Sequence, residues 1–209
     1  DCKGVNHLDY APDGSYLIAS CEFGGALIKY DLATSTVVGR LALSKKGSMP
    51  QDVRLASDGS VFFVADMASG GVYLIDGPSF EEVGFVETGI GAHGLYPSRD
   101  GKRFFVINRG SPSASGRPRG PGSISVLDVG TRTVTATWPI TGGGSPDMGN
   151  LSADGTRLWL SGRFDGEVYC VDTTDGKLLA RIPVGKGPHG LTVWPQPGRF
   201  SLGHTGNMR

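Results

Sequence analysis

The stretch Gly91-Ala92-His93-Gly94-Leu95-Tyr96-Pro97-Ser98-Arg99-Asp100-Gly101, followed by Phe104-Phe105-Val106-Ile107-Asn108, decides the fold. It reads as a short strand, an Asp-Gly turn and a second, wholly apolar strand. Related copies lie at Val5–Gly14, Met49–Gly59, Ser145–Gly155 and Gly187–Gly198. The glycine that closes the turn falls at 14, 59, 101, 155 and 198, spaced 45, 42, 54 and 43 residues apart. A second marker, an aspartate ending the third strand, falls at Asp31, Asp76, Asp128 and Asp172, each with a short polar residue three positions on (Thr34, Ser79, Thr131, Asp175). Such side chains bond turn N–H groups, so a structural role is expected for these aspartates.

Between these markers, apolar runs of four to six residues rich in Val, Ile, Leu, Phe and Tyr are bounded by Gly, Asp and Pro. Helical periodicity is nearly absent. Each repeat accommodates four strands, and repeats of this length imply an all-β fold, a β-propeller of four-stranded antiparallel blades. The repeats run over about 5–48, 49–90, 91–144 and 145–186, with a partial fifth over 187–209 that should open with a strand at Leu191–Trp194. The long 54-residue spacing marks an insertion at 109–122, RGSPSASGRPRGPG, expected as a flexible surface loop whose Arg109, Arg117 and Arg119 are solvated.

Composition excludes some functions. Lys plus Arg and Asp plus Glu both number 20, so no net field steers the chain toward nucleic acid or an anionic membrane. No apolar run reaches the ~18 residues that a membrane-spanning helix needs. The sequence starts Asp1-Cys2-Lys3-Gly4, which is not a signal peptide. Of the three cysteines, Cys170 reads as a small buried hydrophobe, while Cys2 and Cys21 could pair. The fingerprint-like Gly89–Gly94 and Gly185–Gly190 each precede a strand rather than a helix, so they read as blade-to-blade connections and not as a dinucleotide site. Asn150-Leu151-Ser152 is a formal glycosylation sequon at a strand start.

The segments Pro50-Gln51-Asp52-Val53, Ala92-His93-Gly94-Leu95 and Pro188-His189-Gly190-Leu191, each leading to the turn and an apolar strand, resemble the YVTN-type repeat of YncE-like secreted bacterial propellers. The resemblance covers essentially the whole chain. It implies an extracellular or periplasmic protein and a ring of seven or so blades, of which four and a half are present. Were each bare end to expose ~600 Å² of apolar surface, about 15 kcal/mol of burial would be forgone per face. Missing N-terminal blades or a second chain are therefore expected to close the propeller.

In a propeller the first strand of each blade lines the central channel, so the residues preceding it ring one channel mouth. The register gives Asn6/His7, Gln51/Asp52, His93, Asp147/Met148 and His189. Second strands end at the same mouth with Cys21/Glu22, Asp66, Asn108/Arg109 and Gly162/Arg163, and His204 lies near the end of the partial repeat. All four histidines thus fall on one rim. The expected ligand-binding set is His7, Asp52, Asp66, His93, Asn108, Arg109, Asp147, Arg163 and His189.

Three functions fit this rim. One is binding of a small ligand or protein partner without catalysis or cofactor. The second is lactone opening or β-elimination, with His93 or His189 as acid or base. The third is a copper or zinc ion held by His7, His93, His189, His204 and Cys21, assisted by Asp52, Asp66 or Met148.

Overall fold

The computed structural model describes residues 1–116, 120–197, 201–202 and 207–208. Four antiparallel four-stranded sheets follow one another along the chain. The first contains β1 (Val5–Tyr10), β2 (Tyr16–Cys21), β3 (Ala26–Asp31) and β4 (Thr36–Ala42), and the second β5 (Pro50–Leu55), β6 (Phe62–Asp66), β7 (Gly71–Asp76) and β8 (Glu81–Glu87). The third contains β9 (Ala92–Pro97), β10 (Arg103–Asn108), β11 (Ser123–Asp128) and β12 (Thr133–Pro139), and the fourth β13 (Pro146–Leu151), β14 (Arg157–Gly162), β15 (Glu167–Asp172) and β16 (Leu178–Pro183). The inner strands β1, β5, β9 and β13 touch in that order. The blades form an open arc of a propeller, not a closed ring.

The strand period of two explains how the blades stack. In β6, Phe62 and Val64 face back into a core shared with Ile18 and Leu27 of the first blade, while Phe63 and Ala65 face forward onto Leu95, Phe104 and Val106 of the third. A further core joins Phe105 and Ile107 of the third blade to Leu158 and Leu160 of the fourth. The second and third blades are thus buried on both faces. In β14, Trp159 alternates with Leu158 and Leu160, so it lies on the face turned away from the third blade and is half-buried.

The turns form as the sequence predicts. Gly14, Gly59, Gly101 and Gly155 take φ of 70°, 73°, 70° and 73°, the left-handed region in which a Cβ is strained. Asp31, Asp76 and Asp128 accept the N–H of Thr34, Ser79 and Thr131 at 2.7–2.8 Å. Asp172 departs from the pattern: it accepts Thr174 N–H, and Asp175 accepts Lys177 N–H.

Two features differ from expectation. The sequence pattern suggests inner strands starting at Leu8, Val53, Leu95 and Asn150, but they start three or four residues earlier, at Val5, Pro50, Ala92 and Pro146, because each carries a β-bulge at one register. Val5 and Leu8 pair with Cys21 and Ala19, Pro50 and Val53 with Asp66 and Val64, Ala92 and Leu95 with Asn108 and Val106, and Pro146 and Gly149 with Gly162 and Leu160. Two residues thus face one, and the extra residue is polar in each case, so no hydrophobic alternation betrays the strand. The hydroxyls of Ser20 and Ser161 bond the N–H groups of His7 and Met148, which the bulge removes from the ladder. The second difference is at Leu191–Trp194, which form no strand. An inner strand is held by the second strand of its own blade; among the described residues beyond this segment, Ser201–Leu202 and Asn207–Met208 pair with each other.

The insertion at 109–122 leaves the third blade between β10 and β11. Arg109 and Ser111 at its base are buried, which corrects the expectation of a solvated Arg109; Arg117 and Arg119 lie outside the described residues. Cys2 and Cys21 form a disulfide that ties the N-terminus to the end of β2. Cys170 is buried, as its apolar neighbours suggest. Asn150 of the sequon is buried in β13, so its amide is not accessible to glycosylation in the folded chain.

Candidate functional site at the channel mouth

Between neighbouring blades the inner strands share no ladder, so their inward N–H groups need other partners. Side chains of the preceding blade supply them. Asp9 Oδ2 accepts Leu55 N–H at 2.8 Å, Asp52 Oδ2 accepts Leu95 N–H at 2.9 Å, and the Tyr96 hydroxyl accepts Gly149 N–H at 2.6 Å. Gly149 is needed there, since a Cβ would meet Trp159 O at 1.9 Å. These ties hold the channel wall in register beneath the mouth.

One position of the repeat reads Asn6, Gln51, His93, Asp147 and His189, the first four of them on the bulged strands. Asn6 Nδ2 donates to Gln51 Oε1 at 2.9 Å and to Glu22 at 3.3 Å. On the other blades the same position brings together a cluster centred on Asp147, whose side chain is wholly buried. Its Oδ1 lies 3.1 Å from His93 Nδ1 and 3.3 Å from Arg109 Nη1, and its Oδ2 lies 3.4 Å from Arg163 Nη1 and 3.8 Å from His189 Nε2. Arg109 and Arg163 share a register too, each being the first residue past its second strand; Glu22 and Met67 are their counterparts. Arg109 is also held by Met67 Sδ and by the carbonyl of Ser113 in the insertion.

Burial alone would push the Asp147 carboxyl up, but His93, Arg109, His189 and Arg163 together outweigh it and hold it below the usual carboxylate range. His93 also shifts downward, but there burial is the main cause: seconded by Arg109 and His189 and opposed by Asp147, it brings the imidazole down to about 4. At neutral pH the cluster is therefore a carboxylate, a neutral buried imidazole and two guanidinium groups. Exposure rises outward, from 1% at the Arg109 side chain to 32% at Arg163 and 44% at His189. The His93 and His189 rings meet edge to face, 6.0 Å between centroids. A cleft of about 540 Å³ is lined by Met67, Ser69, Glu87, Thr88, Ile90 and Pro112.

Of the expected rim set, His93, Arg109, Asp147, Arg163 and His189 converge. The others do not. Asp52 is an interior tie, paired with Arg54 at 3.0 Å, and desolvation raises it to about 6. Asp66 closes the β6–β7 turn through Ser69 N–H at 2.7 Å. Asn108 is used up by Thr88, Ser123 and Ser125. His7, one position past the converging register, is buried against Ser20 and stands apart from the Asp147 cluster. The metal set is corrected accordingly: Cys21 is spent in the disulfide, the Met148 sulfur receives the Tyr96 hydroxyl, and His204 lies outside the described residues. Among the described residues, the atoms that lie within 4.8 Å of one another as a ligating group belong to His93, Asp147 and His189.

A family model for the YNCE-like beta-propeller matches residues 2–197, and the chain belongs to that family. No curated protein matches it. Among solved structures, Kuenenia stuttgartiensis hydrazine synthase is similar with a TM-score of 0.72 and 24% identity, over 88% of this chain and 50% of that one. Dihydro-heme d1 dehydrogenase NirN, solved in complex with DHE, is similar with a TM-score of 0.64 and 18% identity, over 89% of this chain and 39% of that one. At these identities the likeness is one of fold. The chain spans half or less of these two structures.

Proposed function

We propose that this YncE-like β-propeller binds a small oxyanion, a carboxylate or phosphate, at the channel mouth. The observation that carries the reading is the imbalance around Asp147: one carboxylate faces two guanidinium groups and two imidazoles. A structural ion pair is complete with one partner. Here Arg163, partly exposed, carries positive charge and guanidinium donors toward solvent, where an anion can reach them. The cysteine pair and the family suit an oxidising compartment outside the cytoplasm, and further blades or a second chain would complete the arc; among the described residues no helix is long and apolar enough to cross a membrane.

The test is calorimetric titration of the metal-free protein with inorganic phosphate and with succinate, one arm for each chemistry. Binding of either, weakened at least about tenfold in Arg163→Ala, is the expected result, since one charge-assisted hydrogen bond contributes ~1.5–3 kcal/mol. No heat with either probe at millimolar concentration would overturn the reading. A second reading is favoured by one contact, His189 Nε2 facing Asp147: an acid–base imidazole oriented by a carboxylate, suited to a lyase or lactonase. Lactone turnover abolished in His189→Ala with unchanged thermal stability would support it.

A further inference from the structure

We propose that His93 Nδ1, Asp147 and His189 Nε2 form a binding site for a first-row divalent metal ion of the zinc class, at the centre of the anion site. The proposal deepens the anion reading and rests on the same side chains. Ligands ~2.0–2.1 Å from a tetrahedral ion stand about 3.3–3.4 Å apart. Here the carboxylate oxygens lie 3.1 Å and 3.8 Å from the two imidazole nitrogens, and all three ligating atoms fall within 4.8 Å of one another. Small side-chain rotations close the set around an ion.

A second, independent observation concerns His93. Its ring is 5% exposed, and Nδ1, although 3.1 Å from Asp147 Oδ1, has no aligned hydrogen-bond partner. A buried nitrogen in that state is destabilising unless something occupies the position it faces. The three residues occupy one register of consecutive repeats; His93 and Asp147 sit on bulged strands held by the Tyr96–Gly149 tie, so two of the ligands are positioned before any ion arrives.

Two imidazoles and one carboxylate suit zinc, cobalt or iron rather than magnesium or calcium. With no thiolate or thioether in the set, copper(I) is disfavoured. Exposure of His189 leaves coordination positions toward solvent, as in sites that take a water or substrate rather than closed structural sites. Arg109 and Arg163, within hydrogen-bonding range of both carboxylate oxygens, would orient the carboxylate and add positive charge. That charge weakens affinity for a bare cation and favours an anionic ligand on the open positions.

The experiment uses protein purified without chelator for metal analysis, then stripped protein titrated with Zn²⁺ and Co²⁺ in a chloride buffer free of phosphate and carboxylates. One equivalent should bind, with visible Co²⁺ absorption of a four- or five-coordinate site. His189→Ala and Asp147→Asn should each weaken binding by at least about tenfold, the lower bound seen even for outer-shell changes, while His7→Ala leaves it unchanged. His189→Ala decides the matter if Asp147→Asn does not fold, because His189 is partly exposed. No uptake by the wild type, or equal affinity in His189→Ala, overturns the proposal. The anion titrations are made on stripped protein, so loss of the metal site and loss of the anion reading are separate results.

Discussion

His93 and Asp147 hold one register position on neighbouring blades, and their Nδ1 and Oδ1 atoms stand 3.1 Å apart in the channel mouth. The repeat therefore does more than stack blades: a single bulged position, copied around the arc, brings side chains from different blades to one point. Because Asp147 is the counter-charge for everything at that point, its removal has the largest expected cost.

Asp147→Asn leaves Arg109, with its side chain 1% exposed, without a counter-ion. Uncompensated buried charge of this kind costs about 3–5 kcal/mol. Urea unfolding should show that loss. Arg163→Ala, whose side chain is 32% exposed, should change stability by less than about 1 kcal/mol.

Tyr96→Phe removes the acceptor for the buried Gly149 N–H and so the tie between the third and fourth blades. An orphaned buried donor costs about 1–3 kcal/mol. Hydrogen exchange should show the loss as faster exchange at Gly149 and along β13, with the first blade unaffected.

Asp52 gives a pH signature. Desolvation raises its carboxyl to about 6 in the folded chain from 3.8 in the unfolded one, so the folded state holds a proton that the unfolded state has released. Stability from this group is complete below the unfolded value and is lost as pH rises through the folded one. The loss runs at up to about 1.4 kcal/mol per pH unit between about pH 4 and 6. The difference between wild-type and Asp52→Asn unfolding curves, taken across that window, isolates it.

Reduction of Cys2–Cys21 opens a crosslink between residues 19 apart in sequence and should cost about 3 kcal/mol. The melting temperature with and without a reductant measures it. Cys2→Ser should reproduce the reduced value.

The residues show why the fold was easier to read than the site. Gly14, Gly59, Gly101 and Gly155 sit where only a left-handed residue closes the turn, so their spacing marks the blades directly. The site depends on which of two adjacent residues points into the mouth, and that is decided by the bulge. Sequence offered Asn6 or His7, Gln51 or Asp52, and Asp147 or Met148; the ladder selects Asn6, Gln51 and Asp147 and sends His7 and Asp52 into the interior. Bulges leave no periodic trace, since the inserted residue breaks the alternation that would locate it. The polar residues at the start of each inner strand are the available signal. Asn108 was misleading for a related reason: its carboxamide serves Thr88 and the edge of β11, a role that only the strand pairing reveals.

The most direct test follows the ring nitrogens of the four histidines by long-range ¹H–¹⁵N spectroscopy while inorganic phosphate or succinate is added to the metal-free protein. Single His→Ala variants assign the signals. The expected result is that His93 and His189 shift together and saturably, with His7 unmoved. Shifts in none of them, or in His7 as much as in His93, would contradict an anion site at the channel mouth.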